Sequence, residues 1–166
     1  FSFSKDEFDY INNQSKDSKK IIKVNSFTKW SYVHLIDTSS EQYIVKEKLR
    51  RAAGDLYSSL NENMHEKIAI VDLTNNAEFI LAYASGLGLS HYQFLKYFSK
   101  SAEKKNHLKE IFILSSGVVD EQISELNILI ESVYLTRDLV NEPVSFLNSL
   151  KFSEEIEQIG KQAGFD

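Results

Sequence analysis

The sequence of 166 residues is 42% hydrophobic and 26% charged, which is the balance of an ordinary globular protein with room for one core domain. It contains no cysteine, which excludes disulfides and cysteine nucleophiles and suits a reducing compartment. A formal net charge of -5 argues against nucleic acid as a partner, because phosphate binding depends on clustered lysine and arginine.

The N-terminal region carries only weak patterns. The chain starts at Phe1 rather than Met, without the basic-then-apolar pattern of a signal sequence, which leaves room for a leader or a first strand upstream. Residues 7–13 predict a short helix. No apolar run in the sequence is long enough for a membrane span, so no membrane partner is predicted.

The next part of the chain predicts two neighbouring strands followed by a helix. The strands are expected at 21–24 and 32–36, and a polar turn separates them from a helix over 43–60. Ser39, with Gln42 three residues later, is typical of a capping box at the start of a helix. The helix is expected to bury one face, which carries Val45, Leu49, Ala52, Leu56 and Leu60.

The middle of the chain alternates strands and helices. Residues 68–71 and 111–114 are continuous apolar runs, which predict strands covered on both faces in a mostly parallel sheet. Between them, the capping cluster 74–76 precedes a helix whose apolar register continues to Leu95. The resulting order of strand, strand, helix, strand, helix, strand and helix predicts an α/β domain.

The longest helical pattern runs over 120–142 and ends before Pro143, because the residue preceding a proline is pushed out of the α region. Ile128, Leu135 and Leu139 lie on nearly the opposite side from the main apolar stripe. A helix that is apolar on two sides needs two packing partners. The main stripe, which is expected to be buried in the core, consists of Ile123, Leu126, Ile130, Val133 and Val140.

These patterns predict three parts in the chain. Residues 1–119 form an α/β domain, 120–143 form a linker helix, and 144–166 begin a second domain whose remainder is absent. The last part contains an amphipathic helix over 152–163, with Ile156 and Ile159 facing inward and Gly164 just past its end. The residues predicted to lie at an interdomain surface or interface are Ile128, Leu135, Arg137 and Leu139.

No residue is predicted to be catalytic, to hold a metal or to bind a cofactor. Asp37 and Asp72 follow strands, where α/β sheets keep their ligands, but turn and capping chemistry is the favoured interpretation. Asp138 and Glu142 have a spacing that metal carboxylates use, yet the adjacent Arg137 and the lack of a nearby histidine favour a solvated or interdomain salt-bridge face. Isolated histidines, favoured as structural residues, occur at positions 34, 65, 91 and 107.

Two glycines within the second helix, Gly86 and Gly88, are similar to part of a phosphate-binding loop. The pattern falls inside a helix and lacks the strand that must come directly before such a loop. Close packing of this helix on the sheet is therefore the favoured explanation.

The run Arg137-Asp-Leu-Val-Asn-Glu-Pro143, followed by a polar turn and a new helix, resembles the join between the two domains of the leucyl aminopeptidase (cytosol aminopeptidase) family. The likeness extends back through 48–54, the strand at 67–73 and the helix that ends at Tyr97. Val144-Ser145 departs from the Pro-Asn that is more frequent in the family. The resemblance covers nearly the whole chain, but only the non-catalytic part of the family.

The resemblance implies a three-layer, macro-domain-like sheet covered by helices and followed by a long linker helix. It implies that the parent protein is cytoplasmic and removes N-terminal amino acids from peptides. Two divalent metal ions, zinc or manganese, would do so in a catalytic domain whose ligands have no counterpart here. It also implies a homo-oligomer, a hexamer for the parent. This chain alone is then expected to be inactive, without a cofactor, and to serve subunit assembly.

Two other hypotheses stay open at this point. A macro-like module that binds an ADP-ribose-type ligand needs glycine-rich loops, whereas the strand exits after Asp37 and Asp72 are acidic and lack glycine. A free-standing assembly or regulatory protein requires a chain that is complete at Asp166. The final helix, which has no partner in the sequence, argues against that hypothesis.

Overall fold

The computed structural model describes residues 2–16 and 21–165, and it confirms the predicted α/β class. Within those residues, no helix combines the length and the apolar character needed to cross a membrane. A short 3-10 helix at Ser101–Lys104 precedes the last strand. The remaining elements are α1 (Lys5–Lys16), β1 (Ile21–Asn25), β2 (Trp30–His34), α2 (Gln42–Glu62), β3 (Lys67–Val71), α3 (Ala77–His91), β4 (Glu110–Leu114), α4 (Asp120–Asn141) and α5 (Ser149–Gln162).

The four strands of the described residues pair in two separate sheets. β1 and β2 form an antiparallel hairpin, as expected for neighbouring strands, with Ile21 opposite His34. β3 and β4 are parallel and are connected through α3, with Lys67 opposite Glu110. Among the described residues, no hydrogen-bonded pairing joins one sheet to the other. The predicted parallel arrangement therefore applies to the second sheet only.

The main core lies between α2, α3 and one face of the β3–β4 sheet. The buried face of α2 is close to the predicted one, although Ala53 and Tyr57 are buried in place of Ala52. Gly86 lets α3 approach α2 closely, because a Cβ at this position would lie 2.4 Å from the carbonyl oxygen of Arg50. The glycine pattern is thus explained by close packing, but of helix on helix rather than helix on sheet. The largest core cluster contains Ala53, Leu56, Tyr57, Leu60, Leu87 and Leu108.

The prediction that β3 and β4 are covered on both faces is wrong for the described part of the chain. Ile68, Ile70 and Ile111 pack against the main core. The alternate side chains point away from the helices, and Phe112 and Leu114 are 49% and 55% exposed. Successive side chains of a strand point to opposite faces, and the described helices cover only one face of this sheet.

Of the two predicted helix caps, one forms and the other does not. The Asn76 side chain accepts hydrogen bonds from the backbone N–H groups of Glu78 and Phe79, so this cap forms as expected. No capping box forms at Ser39, because its backbone N–H donates to Asp37 at 2.9 Å and α2 starts only at Gln42. Asp37 is therefore a turn residue, and the two hydrogen bonds from Ser39 hold its pKa below the usual range.

Helix α3 is shorter than its apolar register indicates. It ends at His91, and Tyr92 has the extended dihedrals φ -54 and ψ 132. Leu95 and Tyr97 thus lie outside the helix, in a segment that contacts α4. The segment after the helix is also partly buried, so its apolar residues continue the helical spacing. Periodicity alone cannot distinguish such a segment from a helix.

Candidate interface on the long helix

One side of α4 is attached to the C-terminal half of α3. Gly88 allows this contact, because a Cβ there would lie 2.5 Å from Cδ1 of Ile130. One turn further along α4, the Tyr134 hydroxyl donates a hydrogen bond to the Gly88 carbonyl. Nη1 of Arg137 then donates to the Leu89 carbonyl at 2.8 Å. The spacing of three and four residues places all three α4 side chains on one face of the helix.

The last turn of α4 is held by a second set of bonds to the segment after α3. The Glu142 carboxylate accepts from Nζ of Lys96 and from the hydroxyl of Tyr97, both at 2.5 Å. Asp138 accepts from the hydroxyl of Tyr92 at 2.8 Å. Glu142 therefore forms a salt bridge with Lys96 of the same chain, whereas Asp138 is hydrogen-bonded to a tyrosine, and among the described residues neither belongs to a group of three metal-ligand side chains.

The Glu142 side chain is only 8% exposed, and its hydrogen bonds with Lys96 and Tyr97 hold its pKa below the ordinary value of 4.5. A carboxyl group with a lowered pKa stabilises the fold above its ordinary pKa, and it loses that contribution as the pH falls through the lowered value. We expect Glu142→Gln to lower the free energy of unfolding at pH 7, with a deficit that shrinks towards pH 3. Urea unfolding at both pH values measures it. A deficit of equal size at both pH values would contradict an ionised, bonded Glu142.

The other side of α4 is exposed in this structure. Of the four predicted interface residues, Ile128 is 63% and Leu135 is 40% exposed, and Leu139 is half-buried. Arg137 is half-buried because it contacts α3, and its guanidinium lies 5.3 Å from the centre of the Tyr92 ring. An interface role for these four residues stays a prediction. Its physical basis is the exposed apolar surface of Ile128 and Leu135.

The predicted core stripe of α4 is only partly correct. Ile123, Leu126, Ile130 and Val133 face inward but remain half-buried, and Val140 is 79% exposed. Besides Ile130, the contact with α3 uses hydrogen bonds from a tyrosine and an arginine. An analysis of apolar periodicity does not count such residues. The available sequence signal was that Tyr134 and Arg137 lie four and seven residues after Ile130, on the same face of the helix.

Helix α5 also exposes apolar side chains. The Asn148 side chain caps it by accepting a hydrogen bond from the backbone N–H of Lys151 at 3.0 Å. The helix therefore starts at Ser149, three residues before the predicted start at 152. Ile156, which was expected to face inward, is 51% exposed, because no described element covers it. Leu150 is 77% exposed, and Gly164 adopts the predicted left-handed conformation after the helix, with φ +80.

Three of the four histidines are bound to tyrosines, and the fourth, His107, is exposed. Burial lowers the pKa of His91 and raises the pKa of Tyr57 to about 12, so the neutral pair is favoured at physiological pH. Within residues 2–16 and 21–165, no group of three or more histidine, aspartate or glutamate side chains could hold a metal ion. The three pairs are Tyr32–His65 at 2.9 Å, Tyr83–His34 at 3.4 Å and Tyr57–His91 at 2.9 Å.

Curated relatives of the chain share one name, although no protein-family model matches the sequence. The probable cytosol aminopeptidase of Sulfurihydrogenibium sp. (strain YO3AOP1) is 32% identical over 147 residues, which are 83% of this chain and 29% of that protein. The probable cytosol aminopeptidase of Clostridium perfringens (strain 13 / Type A) is 29% identical over 143 residues, 80% of this chain and 29% of that protein. The chain is a homologue of the cytosol aminopeptidases. The resemblance drawn from the run at 137–143 is thereby confirmed.

Two solved structures contain a region with the same fold. A point mutant of tomato leucine aminopeptidase superposes with a TM-score of 0.73 at 18% identity, over 90% of this chain and 31% of that one. The bottromycin maturation enzyme BotP superposes with a TM-score of 0.69 at 19% identity, over 100% of this chain and 36% of BotP. BotP has also been solved in complex with Mn. The chain spans about a third of these proteins' length.

Proposed function

We propose that the chain is the N-terminal, non-catalytic domain of a cytosol aminopeptidase-like metallo-exopeptidase. The parent protein would remove N-terminal amino acids from peptides in the cytoplasm. The observation that carries this proposal is the extent of the match, which takes in 83% of the chain but 29% of the relative. A homologous segment of that size corresponds to one part of a larger enzyme.

The proposal assigns the metal chemistry to the part of the parent outside residues 1–166. The described residues contain no group of three ligands that could hold a metal, and Glu142 and His91 are bonded to Lys96 and Tyr57. Two divalent ions, zinc or manganese, would activate water and polarise the scissile carbonyl in that other part. The chain's own contribution would be assembly of the subunits, for which a hexamer is the expectation.

The three parts expected from the sequence belong to the same proposal. Residues 1–119 would be the domain proper, 120–143 the linker helix, and 144–166 the start of the catalytic domain. No residue of α4 or α5 is fully buried here, which supports a location between two bodies. Arg137 and Glu142 would fix the direction in which α4 leaves the first domain, because both are bonded to the C-terminal end of α3 or the segment after it.

The proposal predicts a division of activity between the parent and this chain. We expect the full-length protein to hydrolyse leucyl-p-nitroanilide with manganese or zinc. The 1–166 chain, folded by circular dichroism, should show no turnover. After dialysis it should retain no metal by plasma mass spectrometry. Turnover by the purified chain, or an inactive full-length protein with both metals, would contradict the proposal.

A further inference from the structure

A polar cavity lies between the end of α3 and the last turns of α4. Its volume is about 400 Å³, and its walls come from the segment that follows α3, from residues 105 and 106, and from α4. Pockets that hold small molecules usually have volumes between about 300 and 1,000 Å³. The cavity is therefore large enough for a small organic ligand.

Hydrogen bonds within the protein fix the first wall of the cavity. The Gln93 side chain donates to the Lys104 carbonyl and accepts from the Asn106 N–H, both at 2.8 Å. The Asn106 side-chain amide donates to the His91 carbonyl at 3.0 Å. These three bonds join the segment after α3 to residues 104–106. The wall thus forms without a ligand, and a preformed site loses little conformational entropy when a ligand binds.

The opposite wall is fixed to α4 in a similar way. The Tyr92 hydroxyl donates to Oδ1 of Asp138 at 2.8 Å and accepts from the Asn141 side chain at 3.0 Å. The Tyr92 and Tyr134 rings pack edge to face, with their centroids 5.2 Å apart. Together with Leu95, these rings give the cavity an apolar part beside its polar groups.

Two charged groups of opposite sign remain available in the walls. Within the described residues, the Lys105 ammonium makes no hydrogen bond or ion pair, although Lys100 and Lys109 nearby in the sequence form ion pairs. Oδ2 of Asp138 likewise accepts no hydrogen bond from the described residues, whereas Oδ1 accepts from Tyr92. A ligand that binds both groups must itself carry a positive and a negative charge.

We infer that this cavity binds a free α-amino acid with an apolar side chain. The ammonium group of the amino acid binds the Asp138 carboxylate, and its carboxylate binds the Lys105 ammonium. Its side chain contacts Leu95 and the two tyrosine rings. A simple anion would be repelled by Asp138 and a simple cation by Lys105, so the zwitterion is the favoured ligand.

The bound amino acid would join two parts of the fold, because Lys105 precedes β4 and Asp138 belongs to α4. A ligand that binds only the folded arrangement stabilises it by mass action. The amino acid would therefore hold α4 more firmly to the end of α3. An amino acid is also the product of the reaction proposed for the parent, and this meaning of the site rests on the proposed function. The binding itself does not depend on peptidase activity.

Hydrogen exchange of the full-length protein, followed by mass spectrometry, tests the site with L-leucine as the probe. We expect saturating leucine to slow the deuterium uptake of residues 92–106 and 134–142 at least about threefold. Half of the effect should be reached at about 1 mM, an ordinary affinity for so small a ligand. Two analogues separate the contacts, since 4-methylpentanoate lacks the ammonium group and 3-methylbutylamine lacks the carboxylate. Neither should slow the uptake at the same concentration.

Two variants locate the bound leucine. Lys105→Ala and Asp138→Asn should each raise the leucine concentration for half of the effect at least about tenfold. Asparagine keeps an oxygen that can accept from Tyr92, so the attachment of α4 is retained. Lys105→Ala removes no contact within the described residues and stays informative if Asp138→Asn melts early by circular dichroism. Lys100→Ala is the control, because Lys100 does not line the cavity, and it should leave the leucine dependence unchanged.

Four results would overturn the inference. Uptake by residues 92–106 could be unaffected by leucine up to about 10 mM. The protection could persist undiminished in Lys105→Ala, which would place the leucine elsewhere. Equal protection by 4-methylpentanoate would identify an anion site, and equal protection by 3-methylbutylamine would identify a cation site. None of these measurements uses turnover, so a failure of this site is distinguishable from a failure of the proposed function.

Discussion

Gly86→Ala is expected to lower the free energy of unfolding of the chain by about 1–3 kcal/mol or more, through overpacking between α2 and α3. The added Cβ would lie 2.4 Å from the carbonyl oxygen and 2.8 Å from the Cα of Arg50. Both are backbone atoms of a helix, so no side-chain rotation can relieve the clash. The two helices that enclose the core would have to separate. Urea unfolding followed by circular dichroism measures the loss.

Gly54→Ala is the matched control, because Gly54 is the glycine of α2 that faces α3. The nearest atom to its added Cβ would be Oγ of Ser90 at 3.2 Å, which is a side-chain atom. Alanine also favours the helix by about 0.5–1 kcal/mol over glycine. We therefore expect the free energy of unfolding of Gly54→Ala to lie within about 1 kcal/mol of that of the unmutated chain. Equal stability of the two variants would show that α2 and α3 are not in backbone contact.

The second prediction concerns the exposed side of α4. Ile128→Glu combined with Leu135→Glu should leave the 1–166 chain folded, because both positions are exposed here and surface substitutions usually change stability by less than about 0.5 kcal/mol each. In the full-length protein the same pair should reduce aminopeptidase activity at least about tenfold. Covering the surface with the second domain would bury unpaired charges, which costs several kcal/mol.

Two further variants make this result specific. Asn127→Glu adds the same charge at an exposed position next to Ile128 and should leave activity unchanged. Leu87→Glu places a charge at a core position with 0% exposure. It should unfold both the 1–166 chain and the full-length protein. If the double variant unfolded the 1–166 chain as Leu87→Glu does, α4 would be an ordinary core helix. Full activity of the double variant would contradict the interface.

The helices were more predictable from the sequence than the sheets. Local signals such as Pro143 and Asn76 placed α4 and the start of α3 within one residue. The division of the strands between two sheets could not be predicted, because strand pairing is non-local and every strand had the expected apolar pattern. In the same way, the exposed alternate residues Phe112 and Leu114 reflect what covers the sheet, not the sequence of β4.

The exposed apolar side of α4 could be predicted from the sequence, whereas the hydrogen bonds that attach its other side to α3 could not. Ile128 and Leu135 were noticed because their positions depart from the main apolar stripe of the helix, and both are exposed in the structure. Tyr134 escaped notice because its contribution is a hydrogen bond to the Gly88 carbonyl, which no spacing of apolar residues encodes. Arg137 was assigned to the interface by its motif, and the contact with α3 gives it a second, structural reason to be there.

The hairpin contains its own optical reporter. Trp30 is the single tryptophan of the sequence, and it lies in β2 with the Tyr32 ring stacked at 6.0 Å and the His65 ring edge-on at 6.1 Å. The residue is 39% exposed, so water also contributes to its surroundings. His65 follows the end of α2, so a separation of the hairpin from α2 would remove one of these rings and change the emission of the indole. The fluorescence spectrum of the unlabelled chain thus reports on the packing of the hairpin against the end of α2.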